Sequence, residues 1–357
     1  MDNRKLTVGL IGCGRIGAYT RSELNDSTRQ GAYPVNHAEA IKANSGLELV
    51  ALCDLNSENL QRAAGMFNIT NCYHDYRDLI NQVKPDIISV ATRTPGRCDI
   101  LNFSIISGVK GIYIEKPLST NQESCVETLN LVRQYGTKIA YGTVRRYMDA
   151  FRLCKKMVAD GVIGELVQIS VSIGSTLLMW SHPHSVDIMT YFSNAKTFDF
   201  VQASCLFREK YQGNENAIEC DPVVQSAFIQ FSNGISGLIT QGGGNDVVLY
   251  GKSGTILIAG DGAFIQLRKR GQAGPYFNEV VHVDCEAIMS GAQRSFNELE
   301  LAIKNNEPLS IDPDEIELSQ EILLAIAYSG LLNGKKVRQG NLPRGFTVHG
   351  KFGDLTA

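Results

Sequence analysis

The chain has no apolar run approaching the roughly 20 residues needed to span a bilayer, and its polar MDNRK start lacks the hydrophobic stretch of a signal peptide. No membrane partner is expected, and a soluble, cytoplasmic protein is. Runs of Lys or Arg are also missing, and the formal net charge is −3, so nothing marks a nucleic-acid surface. A small molecule is the expected partner. The nine cysteines are odd in number and form no C-x-x-C pair, which argues against a zinc or disulfide framework and fits reduced thiols. No internal repeat or low-complexity linker is present. What remains is a length of 357 residues, enough for two domains, each with its own core.

The most informative stretch is Leu6 to Gly17, LTVGLIGCGRIG, an apolar run that breaks directly into Gly12, Gly14 and Gly17. A buried strand opening on such a turn, followed by a helix, is the setting of a dinucleotide fingerprint. Gly12 permits the tight turn, Gly14 lets the backbone approach a pyrophosphate at the helix start, and Gly17 lets helix and strand pack closely; Arg15 and Ile16 lie within the same turn. An acidic residue is then expected about 20 residues on, to accept hydrogen bonds from the adenosine ribose. The candidate is Asp54, which closes the apolar run LELVALCD but stands 37 residues beyond Gly17. The excess is accounted for by Asn25 to Asn36, a polar stretch with Gly31 and Pro34 that reads as a loop inserted before a helix at His37 to Ala43. A carboxylate at this place repels a 2′-phosphate, so NAD is favoured over NADP.

Helices are expected over Ser57 to Phe67 and Tyr76 to Val83, and a third core strand over Ile87 to Thr92, ending in the polar loop TRTPGR with Thr92, Thr94 and Pro95. In a doubly wound sheet that loop faces the nicotinamide end of the cofactor. A helix at Asp99 to Ser107 leads to GIYIEKPLS, a strand running into Glu115, Lys116 and Pro117. Alternation of this kind implies a parallel sheet with right-handed crossovers. From Glu165 the texture changes to strand-like runs at Val167 to Ser175, Val201 to Leu206, Val223 to Phe231, Ile235 to Thr240, Val247 to Tyr250 and Thr255 to Ile258, which suggest one large, mostly antiparallel sheet.

Together the fingerprint, Asp54, the T-x-T-P loop and Glu115-Lys116-Pro117 resemble the glucose-fructose oxidoreductase, inositol dehydrogenase and rhizopine catabolism (Gfo/Idh/MocA) family of NAD(P)-dependent oxidoreductases. The similarity continues through the helix Gln122 to Tyr135, the strand Lys138 to Tyr141, Arg145-Arg146-Tyr147 and the helix Ala150 to Asp160. It returns in Phe296 to Gly330, which resembles the family's late helices. The resemblance implies an α/β Rossmann domain with a doubly wound parallel sheet over 1–146. It also implies a substrate-binding and oligomerisation α+β domain with a large open sheet over 147–357, helices near 296–330 packing back on the first domain, and a homodimer or homotetramer.

The second domain's chemistry is expected in WSHPHSVD, Trp180 to Asp187, at the start of a helix Val186 to Phe192. The family pattern is an aspartate, a histidine four residues later and another aspartate three beyond that. His184 and Asp187 match, whereas Trp180 stands in the first aspartate's place and His182 where glycine is common. Oxidising a secondary alcohol requires a base at the hydroxyl and a cation for the developing alkoxide. The resemblance gives these places to His184 and Lys116, and to Asp187 a substrate-binding or supporting role; His182, Trp180 and Arg146 are further candidates at the substrate, and Glu115 and Lys116 at the cofactor. Either His184 or His182 is open as the base, and Trp180 as a sugar platform or a core residue. The implied activity is NAD-dependent dehydrogenation of a polyol, sugar or nucleotide-linked sugar, the alternatives being an NAD-retaining glycosidase and a non-catalytic sensor or repressor. His182, His184 and Asp187 have the residue types of a metal site, but no further cluster with ligand spacing accompanies them, so no metal is expected.

Overall fold

The computed structural model describes residues 4–20, 33–207, 216–271 and 275–350. Contacts divide the chain into two units. One runs to Ser119 and takes in Ser124–Tyr147 and Met289–Ile316; the other holds Thr120–Glu123, Met148–Ile288 and the chain from Glu317. Most of the expected insertion, residues 25–32, lies outside the described residues. No helix among the described residues is long and apolar enough to cross a membrane, and all nine cysteines are free.

In the first unit, strands β1 (Leu6–Ile11), β2 (Leu47–Cys53), β3 (Cys72–Tyr73), β4 (Ile87–Val90), β5 (Gly111–Ile114) and β6 (Lys138–Tyr141) form a parallel sheet in the order β3-β2-β1-β4-β5-β6. Successive residues of a strand face opposite sides, so an apolar β1 needs cover on both. Leu6 and Val8 enter a cluster with Tyr113, Phe296 and Leu299, whereas Ile11 enters one with Val90, Ile112 and Ile114. The helices are α1 (Arg15–Ala18), α2 (His37–Lys42), α3 (Ser57–Phe67), α4 (Tyr76–Val83), α5 (Arg97–Ile106) and α6 (Gln122–Tyr135). Asn36, Asn56 and Asp75 cap α2, α3 and α4 by accepting from Glu39, Asn59 and Arg77 N–H groups, which fixes where those helices begin.

The second unit begins at α7 (Asp149–Ala159), followed by β7 (Leu166–Ser172), β8 (Thr176–Leu177) and α8 (Leu178–Ser193). Strands β9 (Phe198–Leu206), β10 (Ala217–Ile218), β11 (Val223–Phe231), β12 (Ser236–Thr240), β13 (Asp246–Gly251), β14 (Gly254–Ala259), β15 (Phe264–Lys269) and β16 (Glu279–Val283) come next. After α9 (Gly291–Asn305), whose Phe296 and Leu299 belong to the first unit's core, come α10 (Pro313–Leu331), β17 (Val337–Arg338) and β18 (Thr347–Val348). The large sheet has the order β16-β15-β14-β13-β7-β12-β11-β9-β17, with β8 beside β11, and is antiparallel except where β7 meets β12. Its core face carries Ile169, Val171, Ile229, Ile239, Leu249 and Ile256, packed with Met189 and Phe192 of α8. Beyond the expected strands, β15 was also readable as an alternating run, since its Ile265 and Leu267 are buried and Gln266 is not.

One helix starts earlier than expected. The run to Phe192 begins at Leu178 rather than Val186, so WSHPHSVD lies inside α8 and Ser185 or Asp187 does not cap it. Pro183 removes one backbone bond early in the helix. The first turn is satisfied from elsewhere: Asp221 accepts from Met179 N at 2.7 Å and Trp180 N at 3.1 Å, and Pro222 O accepts from Leu178 N at 2.8 Å.

Candidate functional site

The glycine turn after β1 carries three distinct constraints. Gly12 has φ +94° and donates its N–H to Cys53 O at 2.8 Å. A Cβ there would sit 2.8 Å from the Ala91 carbonyl carbon, so the turn lies against the loop after β4 and only glycine fits. A Cβ at Gly17 would lie 1.9 Å from Gly12 O, which shows how tightly α1 is pressed on the turn. Gly14, by contrast, has open space, with nothing among the described residues within 4 Å of its would-be Cβ. Two glycines are thus consumed by packing and the third leaves the backbone approachable, which is the division a pyrophosphate requires. Arg15 is exposed and Ile16 partly so on this turn.

Asp54 follows β2 and is tied to the same turn. One carboxylate oxygen accepts from Cys13 N at 2.6 Å and the other from Asn56 N at 2.8 Å. The two bonds use part of the carboxylate's capacity of about four lone-pair sites. The sheet order reverses between β1 and β4, and ligands of doubly wound sheets bind outside the carboxyl ends of the strands at that reversal. The glycine turn and the Thr92 loop follow those two strands. Thr94 and Pro95 lie further along the loop, and the Thr92 hydroxyl is buried with no hydrogen-bond partner among the described residues.

The neighbouring strand β5 ends at Glu115, Lys116 and Pro117, with a cis Lys116-Pro117 peptide. Lys116 is half-buried, and its N–H donates to the Glu115 carboxylate at 3.3 Å. Glu115 itself is buried and lies 3.2 Å from His37 Nε2, and His37 Nδ1 lies 2.8 Å from Ser89 Oγ. Burial pushes the Glu115 carboxyl up, but the His37 hydrogen bond and the charges of His37, Lys116 and Arg97 together outweigh it and hold it below the usual range. Arg97, at the start of α5, is buried and donates to Glu115 O at 2.6 Å and also to Pro117 O and Thr92 O.

Arg146, expected at the substrate, is fully buried and held by structure instead. Its Nη1 donates to Ser310 O at 2.6 Å and to Glu315 Oε2 at 2.8 Å, both within the first unit, in the loop before α10 and in its first turn.

In the second unit, α8 carries the remaining residues. His184 is half-buried, Asp187 one turn further on is fully buried, and Trp180 is 46 % exposed, outside the hydrophobic core. His182 is fully buried, with Nδ1 3.1 Å from Ser185 Oγ. Burial pushes its imidazole down to about 4, against a backbone hydrogen bond at Thr176. No group of three His, Cys, Asp or Glu among the described residues is placed to hold a metal ion.

Residues 6–143 match the family described as "Oxidoreductase family, NAD-binding Rossmann fold" (GFO_IDH_MocA). That segment belongs to the NAD-binding Rossmann part of the Gfo/Idh/MocA oxidoreductases. It is 25 % identical over 160 residues to an inositol 2-dehydrogenase/D-chiro-inositol 3-dehydrogenase of Lactiplantibacillus plantarum, covering 44 % of this chain and 41 % of that protein. The chain thus aligns with less than half the length of that curated relative. Two solved structures share the fold. The WlbA dehydrogenase of Bordetella pertussis, in complex with NADH and UDP-GlcNAcA, has a TM-score of 0.70 at 19 % identity, covering 94 % of this chain and 99 % of that one. Apo scyllo-inositol dehydrogenase of Lactobacillus casei has a TM-score of 0.69 at 16 % identity, covering 95 % and 99 %.

Against this Gfo/Idh/MocA frame, three residues that sequence reasoning passed over stand out: His37, Arg97 and Asp221. His37 and Arg97 act across 78 and up to 20 residues of sequence, and Asp221 across 42, so no local pattern announces them.

Proposed function

We propose that the protein is a Gfo/Idh/MocA oxidoreductase, an NAD-dependent dehydrogenase that moves hydride between nicotinamide and a secondary hydroxyl of a polyol, sugar or nucleotide-linked sugar. The observation that carries the reading is the convergence, at the reversal of the first unit's sheet, of an approachable Gly14, a ribose-ready Asp54, an orphaned Thr92 hydroxyl and the strand end that presents Lys116. These residues fit NAD: the glycine turn and Arg15 and Ile16 at the pyrophosphate, Asp54 at the ribose, and Thr92, Thr94, Pro95 and Glu115 toward the nicotinamide. NAD, when bound, supplies the hydride acceptor.

The chain's own part is proton and charge handling. Lys116 offers a cation and a donor to the substrate oxygen, where negative charge develops. His184 is proposed to take the hydroxyl proton and Asp187 to support it. The burial of His182 and its low imidazole basicity favour His184 over His182 as that base. Trp180, exposed on α8, is proposed as an apolar face for a sugar ring. A homodimer or homotetramer in the cytoplasm is proposed as well.

The test is NADH absorbance across a panel of polyols, sugars and nucleotide sugars, with Lys116→Ala and His184→Ala beside the natural protein. Lys116→Ala should lower turnover by about 100-fold while NAD affinity stays within a few-fold, because charge stabilisation acts in the transition state. Near-normal turnover in that variant, or consumption of a glycoside without net NADH, would overturn the reading.

A further inference from the structure

We propose that Arg97 is a positioning residue that clamps the Lys116 strand end to the Thr92 loop, so that the two walls of the nicotinamide site are set by one buried guanidinium. The inference rests on the reading of Lys116 given above.

The geometry is specific. Arg97 is 2 % exposed, and its fork reaches carbonyls on both sides of Lys116, those of Glu115 and Pro117, through Nη1. Through Nη2 it reaches Thr92 O, in the loop after β4. Two strand ends that the β4/β5 ladder brings side by side are thereby joined beyond the ladder's last pair, Val90 with Ile114. No carboxylate hydrogen-bonds the guanidinium among the described residues; the Glu115 carboxylate acts on it through charge alone, and burial lowers its basicity. Taking a cation out of water for carbonyl acceptors is an expensive way to gain stability, and a hydrophobic side chain of similar volume would fill the space at less cost. What a hydrophobic side chain lacks is the planar set of donors that holds three carbonyls at fixed separations. Arg97 also begins α5, with its N–H on Thr94 O at 3.1 Å, so its own backbone is anchored in the loop it clamps. The Nε–H is buried with no partner among the described residues, so the guanidinium's hydrogen bonds there all run from the two Nη atoms to the three carbonyls.

The test uses the full chain as Arg97→Met, Arg97→Lys and Lys116→Ala, with NADH as the probe. Amide hydrogen exchange in 91–96 and in 115–119 should rise together by about tenfold in Arg97→Met while β1 is unchanged, because a local opening is released without global unfolding. Arg97→Lys should recover part of that protection. The emission of bound NADH should change in the same direction in Arg97→Met and Lys116→Ala, with NADH affinity within about threefold, since the adenosine half of the site is untouched. Exchange rising in only one segment or in neither, or an unchanged emission in Arg97→Met, would overturn the clamp. If Arg97→Met does not fold, Arg97→Lys decides by the same two readouts. Failure of the natural protein to bind NADH would refute the proposed function, whereas the exchange data would still decide the clamp.

Discussion

His37 Nε2 lies 3.2 Å from Glu115 Oε1, a pair between side chains 1 % and 10 % exposed that joins α2 to the residue preceding Lys116. The rings of His37 and Tyr113 meet at right angles, 4.7 Å apart, and Tyr113 stacks on Phe296 at 4.3 Å, so the histidine of the pair packs among aromatic rings. Removing the histidine leaves a buried carboxylate without its strongest partner. His37→Leu should cost about 3 kcal/mol in chemical denaturation, and the double variant with Glu115→Gln less than the sum of the two single changes. Strict additivity would show that the two residues do not couple.

Glycine substitutions separate packing from binding. Gly17→Ala places a Cβ 1.9 Å from Gly12 O and should destabilise the fold by about 3 kcal/mol or more. Gly14→Ala meets nothing among the described residues within 4 Å, so it should fold normally and lose NAD affinity by at least about tenfold through obstruction of the pyrophosphate. Denaturation curves and calorimetric titration of both variants check this; unaltered NAD binding in Gly14→Ala would remove the glycine turn from the cofactor site.

Cofactor preference is expected to follow the carboxylate of Asp54. The natural protein should bind NAD more tightly than NADP, and Asp54→Asn, which keeps an acceptor for Cys13 N, should narrow the preference by about tenfold. Calorimetry with both cofactors decides it, and equal or tighter NADP binding by the natural protein would show that Asp54 does not face the ribose.

His182 predicts a pH dependence of stability. Its folded value of about 4 lies below the ordinary 6.5, so between those two values the unfolded chain binds the extra proton. Stability therefore falls as pH drops from about 6.5 toward 4, by at most about 3 kcal/mol from this residue. His182→Asn should flatten that slope in denaturation series at stepped pH. A slope identical to that of the natural protein would place the titration elsewhere.

The first unit was legible in the sequence because its signals are local. A strand buried on both faces reads as a continuous apolar run, a helix start is announced by Asn56 or Asp75, and a glycine turn reports a backbone approach that a Cβ would block. The large sheet was legible in the same way, through the alternation of Val223–Phe231 and its neighbours. What the sequence could not decide is what depends on partners distant in the chain. Pro183 reads locally as a stop, yet α8 runs through it because Asp221 and Pro222 satisfy its first turn. Arg146 is expected at the substrate, yet it donates to Ser310 and Glu315, more than 160 residues away. Likewise Glu115 and Lys116 are visible as a motif, but the groups that hold them, His37 and Arg97, reach that strand end only because the sheet order sets β4 between β1 and β5. Hydrophobic period and turn chemistry act over a few residues and are written in the chain; the satisfaction of buried polar groups is a condition on the folded whole, and only the tertiary structure states how it is met.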